Sequence, residues 1–294
     1  MTDRIDPAPP PSGTQGGGTR ISWWAELRGL ALMLLAVLAF HSLLAKPFYI
    51  PSQSMMPALL VGDRLVVSKY PYGWSWVSVS FHLLPRGAWR VAGSTPEYGD
   101  IVIAVPPDRN EDYIKRVVAL PGDRIAMANG QIILNGRPIP QAVEPDIRLP
   151  VDANTPCEDH IYPRLKARMA SGRQICELPI YRETLPNGAT YLIIDHLRQP
   201  LDDMAEITIP AGHVFLLGDN RDHSADSRAE TYERGLGGPV PLENIGGRAE
   251  FITFSLNGSE SLNPLSWLAA LRPERAGRTL RPPLTEKEAS LGSE

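Results

Sequence analysis

Tyr113-Ile-Lys-Arg-Val-Val118, taken with Asp100-Ile-Val-Ile-Ala-Val105 and Arg64-Leu-Val-Val-Ser68, decides the fold class. Each run is short, rich in β-branched residues and bounded by turn formers, which predicts strands. Downstream, Asn129-Gly130 lies between a β-type run ending at Met127 and another starting at Gln131, and Asn135-Gly136 follows closely. Both dipeptides favour type I′ hairpins, whose two central residues need positive φ. An antiparallel β domain follows. Residues 136–206 are less regular, hold many prolines and both cysteines, and read as an insertion on that core. Periodicity returns with Val214-Phe-Leu-Leu217 and Ala249-Glu-Phe-Ile-Thr-Phe254. No internal repeat is visible.

Outward from this core, Gly29 to Ala45 reads GLALMLLAVLAFHSLLA, without a formal charge and preceded by Trp23 and Trp24. Seventeen such residues rise about 25 Å as a helix, slightly short of a hydrocarbon core of roughly 30 Å. A transmembrane helix is expected, with Arg28 snorkelling, tryptophans at the interface and Pro47 ending the span. A cleaved secretory signal is the competing reading, but Leu43 would occupy the −3 position if Ala45 were −1, where a small residue is wanted. Arg20 and Arg28 before the span balance Lys46 and Arg64 after it, so flanking charge does not orient the chain. Pro7 to Gly18, PAPPPSGTQGGG, reads as a disordered tail. At the other end, Trp267-Leu-Ala-Ala-Leu-Arg272, followed by Arg275, Arg278 and Arg281, reads either as a short interfacial amphipathic helix or as a disordered tail.

Composition excludes several classes. The 294 residues are 43% hydrophobic and 21% charged, so the chain is mainly globular. Its 29 basic and 33 acidic residues give a net charge of −4, with no long basic run, which argues against nucleic acid as a partner. Two cysteines cannot supply a four-ligand zinc site and make at most one bridge.

The chemistry-bearing residues lie in three segments. Just beyond the apolar span, Phe48-Tyr-Ile-Pro-Ser-Gln-Ser-Met-Met-Pro-Ala-Leu-Leu-Val-Gly-Asp63 holds two serines two apart in a proline-bracketed stretch. Taken alone, such a serine reads as a turn cap. Lys115 sits inside an apolar strand, where it must either reach solvent or be held neutral, and a neutral lysine is a base. Gly218-Asp-Asn-Arg-Asp-His-Ser-Ala-Asp-Ser-Arg228 is almost wholly polar and follows the apolar Val214 to Leu217, as a site at a strand end would.

Together PSQSMMPALLVGD (51–63), YIKRVVALPGD (113–123) and GDNRDHSADSR (218–228), supported by YGDIV (98–102) and IGGRAEF (245–251), resemble bacterial type I signal peptidase, the membrane-anchored serine protease that removes signal peptides from exported preproteins. The resemblance covers about 46–128 and 212–254. It implies a Ser/Lys dyad with Ser54 as nucleophile and Lys115 as general base, with Ile114, Val117 and Met55 supplying the burial that lowers the lysine pKa. It implies that Ser224 orients the Lys115 amine, and that the Ser52 hydroxyl and the Ser54 N–H form an oxyanion hole. Arg116, Asp219, Asp226 and Arg228 match positions of ion pairs that shape the site. Phe48, Ile50 and Ile114, with Met55, match the wall of a shallow substrate pocket that selects small side chains by excluding bulk. No metal and no cofactor are implied; the partners are preprotein signal peptides and a phospholipid membrane. Two departures stand out. Gln53 replaces the glycine usual between the two serines, which puts any required backbone freedom in doubt, and His223 replaces a common asparagine.

The implied organisation is mainly β: a disordered cytoplasmic tail (1–28), a transmembrane helix (29–45), a catalytic core in two parts (46–128 and 212–255), a hairpin and irregular inserted subdomain between them (129–211), and a C-terminal tail (256–294). Because signal peptides are cut on the outer face, the domain from Lys46 onward is expected to be extracytoplasmic on a single-pass protein of the bacterial cytoplasmic membrane. That compartment permits disulfides. Cys157 and Cys176 would close a loop in the insertion worth about 3 kcal/mol, or remain two thiols. The alternatives are a same-fold peptidase dedicated to one exported or conjugation-related substrate, an inactive membrane-anchored β scaffold, and a Ser-His-Asp hydrolase using His223, although no GxSxG elbow surrounds any serine. A repressor-type Ser-Lys autoprotease would carry a DNA-binding module that this sequence lacks.

Overall fold

Strands built from the β-branched runs account for most of the regular structure. The computed structural model describes residues 22–79 and 83–285; the Pro7–Gly18 stretch, Arg20 and His82 lie outside them. An apolar helix, Trp23–Leu43, has 21 residues and so rises about 32 Å, long enough to cross a bilayer. It begins six residues before the expected 29 and stops two short of 45, because Trp23, Trp24, Glu26 and Arg28 extend the first turns although they interrupt the uncharged run. Pro47 does not cap the helix. It sits in the edge strand Ala45–Tyr49, opposite Val66, where a missing N–H can be tolerated.

From Ala45 onward the chain is built mainly of antiparallel sheets. The largest has seven strands in the order Ala45–Tyr49, Asp63–Ser68, Ile245–Ser255, Ile101–Ala104, Tyr113–Ala119, His213–Leu217 and Val240–Pro241. Tyr113–Ala119 is interior, and all of its residues after Tyr113 are buried. A second sheet orders Met204–Thr208, Arg124–Ala128, Gln131–Leu134 and Arg137–Pro138. Its two tight turns are Asn129-Gly130 and Asn135-Gly136, with φ of 53° and 82°, and of 54° and 76°, the conformation that Asn-Gly is suited to.

The insertion contains regular pairing that its prolines conceal. Gln141–Pro150 runs antiparallel to Gln174–Thr184, with a register shift between Glu144 and Ile147 that accommodates Pro145. Lys166–Arg168 and Thr190–Ile193 pair along the other edge of Gln174–Thr184. Between these strands the path is irregular and is closed by a disulfide between Cys157 and Cys176. Tyr162, Cys176, Leu178 and Ile194 belong to the insertion's own buried cluster, which also takes in Met56 and Leu60 from the serine-bearing segment.

Near the C-terminus, the short helix Pro264–Ala270 is capped by Asn263, whose side chain accepts the Leu265 N–H. Leu265, Trp267 and Leu268 are exposed on it. The expected polar face, however, does not include Arg272 and Arg275. Both are buried: Arg272 reaches Asp152 and the Val61 carbonyl, and Arg275 grips Asp63. Thr279 and Leu284 then bridge to Phe251 and Ala189, so the chain is tied to the sheets beyond the helix.

Candidate active site

Lys115 stands opposite Val102 in the interior of the large sheet, with its side chain 4% exposed. Ser54 reaches it from the segment between the strands Ala45–Tyr49 and Asp63–Ser68. That segment is closed at its base by Ile50 N–H to Asp63 O and Gly62 N–H to Ile50 O, and is tightened inside by Met56 N–H to Gln53 O and Leu59 N–H to Met55 O. The result is a 2.9 Å hydrogen bond from Lys115 Nζ to Ser54 Oγ, with Ser54 only 7% exposed. Ser52 Oγ lies 3.4 Å from Ser54 Oγ.

Burial lowers the Lys115 pKa from 10.5 to about 8, although the Asp226 and Asp219 carboxylates pull in the other direction. Those carboxylates are not free charges. Asp219 receives Arg116 through two bonds of 2.7 and 2.6 Å, both groups buried. Asp226 takes Arg228 Nε at 2.9 Å and the Gly218 N–H at 3.1 Å. Burial alone would raise the Asp226 pKa, but the Arg228 guanidinium and these donors outweigh it and hold the carboxyl below its ordinary range. Lys115 is thus surrounded by charges that are already neutralised in pairs, which leaves desolvation as the dominant influence on its amine.

The polar segment 218–228 folds over this pair because its first residue is glycine. A Cβ at Gly218 would stand 2.1 Å from Ser224 Oγ and 2.5 Å from the Ser54 carbonyl oxygen, so only a bare backbone passes between them. The Asn220 N–H then donates to Ser54 O at 3.1 Å, and Asn220 Nδ2 to Gln53 O at 3.2 Å. Ser224 is buried beside Gly218, and its hydroxyl has no hydrogen-bond partner among the described residues, Lys115 included. The Ser224–Lys115 bond expected from the sequence is therefore not made in this conformation.

A cleft of about 490 Å³ opens on Ser54 and Lys115, and Phe48, Ile50, Ser52 and Ile114 line it. Met55 does not. It is fully buried, in the same core cluster as Leu59, Leu65, Ile101 and Ile103, because the turn after Ser54 directs the next side chain inward. His223 borders the cleft, yet its Nε2 lies 3.1 Å from the Ile161 carbonyl, so that nitrogen carries the proton and donates. Burial lowers the His223 pKa, and among the described residues no histidine hydrogen-bonds Ser54. Gln53 is not among the residues with positive φ, so this segment runs without the freedom that glycine would supply.

Sequence reasoning missed the groups that hold the site from behind. Arg221 pairs with Glu183 of the insertion, both buried, and Tyr191 Oη donates to Glu183 at 2.7 Å. Asp222 accepts the His196 N–H at 2.8 Å, and the Ile194 N–H and C=O bond to Asp219 and Arg221. Arg221 and Asp222 were in view inside the third polar segment, but their partners lie far away in the chain.

A family model described as signal peptidase, peptidase S26, matches residues 23–254. The chain belongs to this family. Curated relatives named signal peptidase I include that of Rickettsia akari, 33% identical over 244 residues covering 79% of each chain, and that of Rickettsia bellii, 34% identical over 242 residues covering 78% of this chain and 73% of the relative. The crystal structure of a signal peptidase I from Enterococcus faecalis matches 53% of this chain and 97% of its own at 19% identity, with a TM-score of 0.28, a likeness too low to bear on the details above. The protein is a serine endopeptidase of the signal peptidase I group, and its Trp23–Leu43 helix is long and apolar enough to cross a membrane.

Proposed function

We propose that this chain removes signal peptides from exported preproteins at the outer face of the cytoplasmic membrane, with Ser54 as nucleophile and Lys115 as general base. The observation that carries the reading is the buried 2.9 Å contact between Lys115 Nζ and Ser54 Oγ. A serine hydroxyl is a weak nucleophile until a base takes its proton, and an ordinary lysine is protonated at neutral pH. With the amine pKa near 8, roughly one molecule in ten carries the neutral base at pH 7.

In that fraction the Ser54 proton moves to the Lys115 amine as Ser54 Oγ attacks the scissile carbonyl. The Ser52 hydroxyl, 3.4 Å from Ser54 Oγ, and the Ser54 N–H, which has no acceptor among the described residues, then receive the negative charge that develops on the carbonyl oxygen. Lys115 then returns the proton to the departing amine of the mature protein, leaving an acyl-enzyme on Ser54. A water that gives its proton to Lys115 hydrolyses this ester and releases the signal peptide. Phe48, Ile50 and Ile114 form the shallow wall that admits small substrate side chains and refuses bulky ones. Arg116 with Asp219, and Asp226 with Arg228, neutralise the charge around the base and leave proton transfer to Lys115. The Cys157–Cys176 bridge supports an extracytoplasmic position, where disulfides persist.

The test is single-turnover cleavage of several unrelated preproteins by the detergent-solubilised full chain. Wild type is expected to cut them all at their signal-peptide junctions, and Ser54→Ala to bind without cutting. Cleavage by Ser54→Ala would sink the nucleophile assignment, and cleavage of one preprotein alone would favour a dedicated peptidase.

A further inference from the structure

We infer that Tyr162 of the insertion is a positioning residue for the reaction, acting through Gln53 on the backbone that presents Ser54; the inference rests on the nucleophile reading above. Tyr162 is fully buried. Its hydroxyl donates to Gln53 Oε1 at 2.7 Å and accepts from Asn220 Nδ2 at 3.0 Å. The same Asn220 amide donates to Gln53 O, and the Asn220 N–H to Ser54 O. The two carbonyls flanking the attacking serine are thus fixed by one residue, Asn220, and Tyr162 holds both Asn220 and the Gln53 side chain.

This link explains how the site tolerates glutamine between its two serines. Gln53 gives the segment a side chain that can be held, and Tyr162 is the group that holds it. The tyrosine is itself well anchored: the Tyr162 N–H bonds to Glu158 O at 2.7 Å, one residue beyond the bridged Cys157. Burial raises the phenol pKa to about 12, so it remains a donor throughout a neutral or alkaline assay. A small displacement of a reacting atom is costly to rate, so a bond that fixes the serine backbone acts on turnover more than on substrate binding.

The experiment measures kcat and KM for cleavage of a preprotein by the full chain carrying Tyr162→Phe, Gln53→Met or both, with Ser54→Ala alongside. Each single variant removes one end of the same hydrogen bond. Each is expected to lower kcat about tenfold with KM and the alkaline rise of the pH profile unchanged. The double variant is expected to lose no more than Tyr162→Phe alone, because once the phenol is gone Gln53→Met removes nothing further. Unchanged kcat in Tyr162→Phe, or losses that multiply in the double variant, would overturn the inference. Should Tyr162→Phe fail to fold, Gln53→Met reads the link from its other end, and wild-type kcat there is equally fatal. An inert Ser54→Ala beside an unimpaired Tyr162→Phe removes only the positioning role, whereas an active Ser54→Ala removes both it and the nucleophile reading.

Discussion

The proposed catalytic face and the wall behind it are assembled in different ways. Ser52, Ser54 and Lys115 come from two short segments, one a tight connection and the other an interior strand, and backbone pairing within the large sheet places them. The insertion meets the polar segment 218–228 mainly through separate long-range links: Glu183 to Arg221, Tyr162 to Asn220, and the backbone at His196 to Asp222. The contrast teaches that rate and rigidity are largely housed in different parts of the molecule. Substitutions on the face should change the barrier and spare the fold, and substitutions in the wall should chiefly cost stability, Tyr162 excepted because it reaches the face through Gln53.

The largest expected effect breaks the face. Lys115→Arg keeps the positive charge and most of the length, but a guanidinium does not release its proton at usable pH. Single-turnover cleavage should fall by on the order of 10⁴-fold or more at every pH from about 6 to 10. The wall is tested next. Glu183→Ala strands a buried guanidinium on Arg221 and should cost about 3–5 kcal/mol of stability in denaturant titration, while the folded fraction keeps a near-normal kcat. Ser52→Ala should be its mirror image, lowering kcat about 10²- to 10³-fold with the unfolding midpoint unchanged.

The smallest effect sharpens the comparison through pH. With the amine titrating near 8, cleavage should rise about tenfold between pH 7 and pH 9, and His223→Ala should leave that rise in place. The folded-state pKa lies below that of the unfolded chain, so burying Lys115 costs stability in full below about pH 8. That cost fades as pH climbs from about 8 toward 10.5. Activity and this part of the stability should therefore increase together over the alkaline range.

Where local chemistry determines structure, the sequence was readable. Asn129-Gly130 and Asn135-Gly136 announce their hairpins because few other dipeptides accept two positive φ angles in succession. A lysine within Ile114-Lys-Arg-Val-Val118 is conspicuous because burying an ammonium is costly. The helix start was less readable, since tryptophans and isolated charges are compatible with helix but break an apolar count. Met55 was misplaced because a turn, unlike a strand, gives no alternation from which to read the direction of a side chain. Tyr162 and Glu183 were invisible for another reason. Nothing near them in the chain distinguishes a tyrosine that hydrogen-bonds a segment more than 100 residues away from one that fills a core.

Gly218 shows how such a site constrains its own variation. It carries no functional group, and an added methyl would collide with Ser224 and with the carbonyl of Ser54 itself. In a saturation library selected for growth on enzyme activity, position 218 should therefore accept glycine alone. Drift at this residue is closed by sterics and not by chemistry, so a position outside the lining of the cleft would be as invariant under selection as the proposed nucleophile.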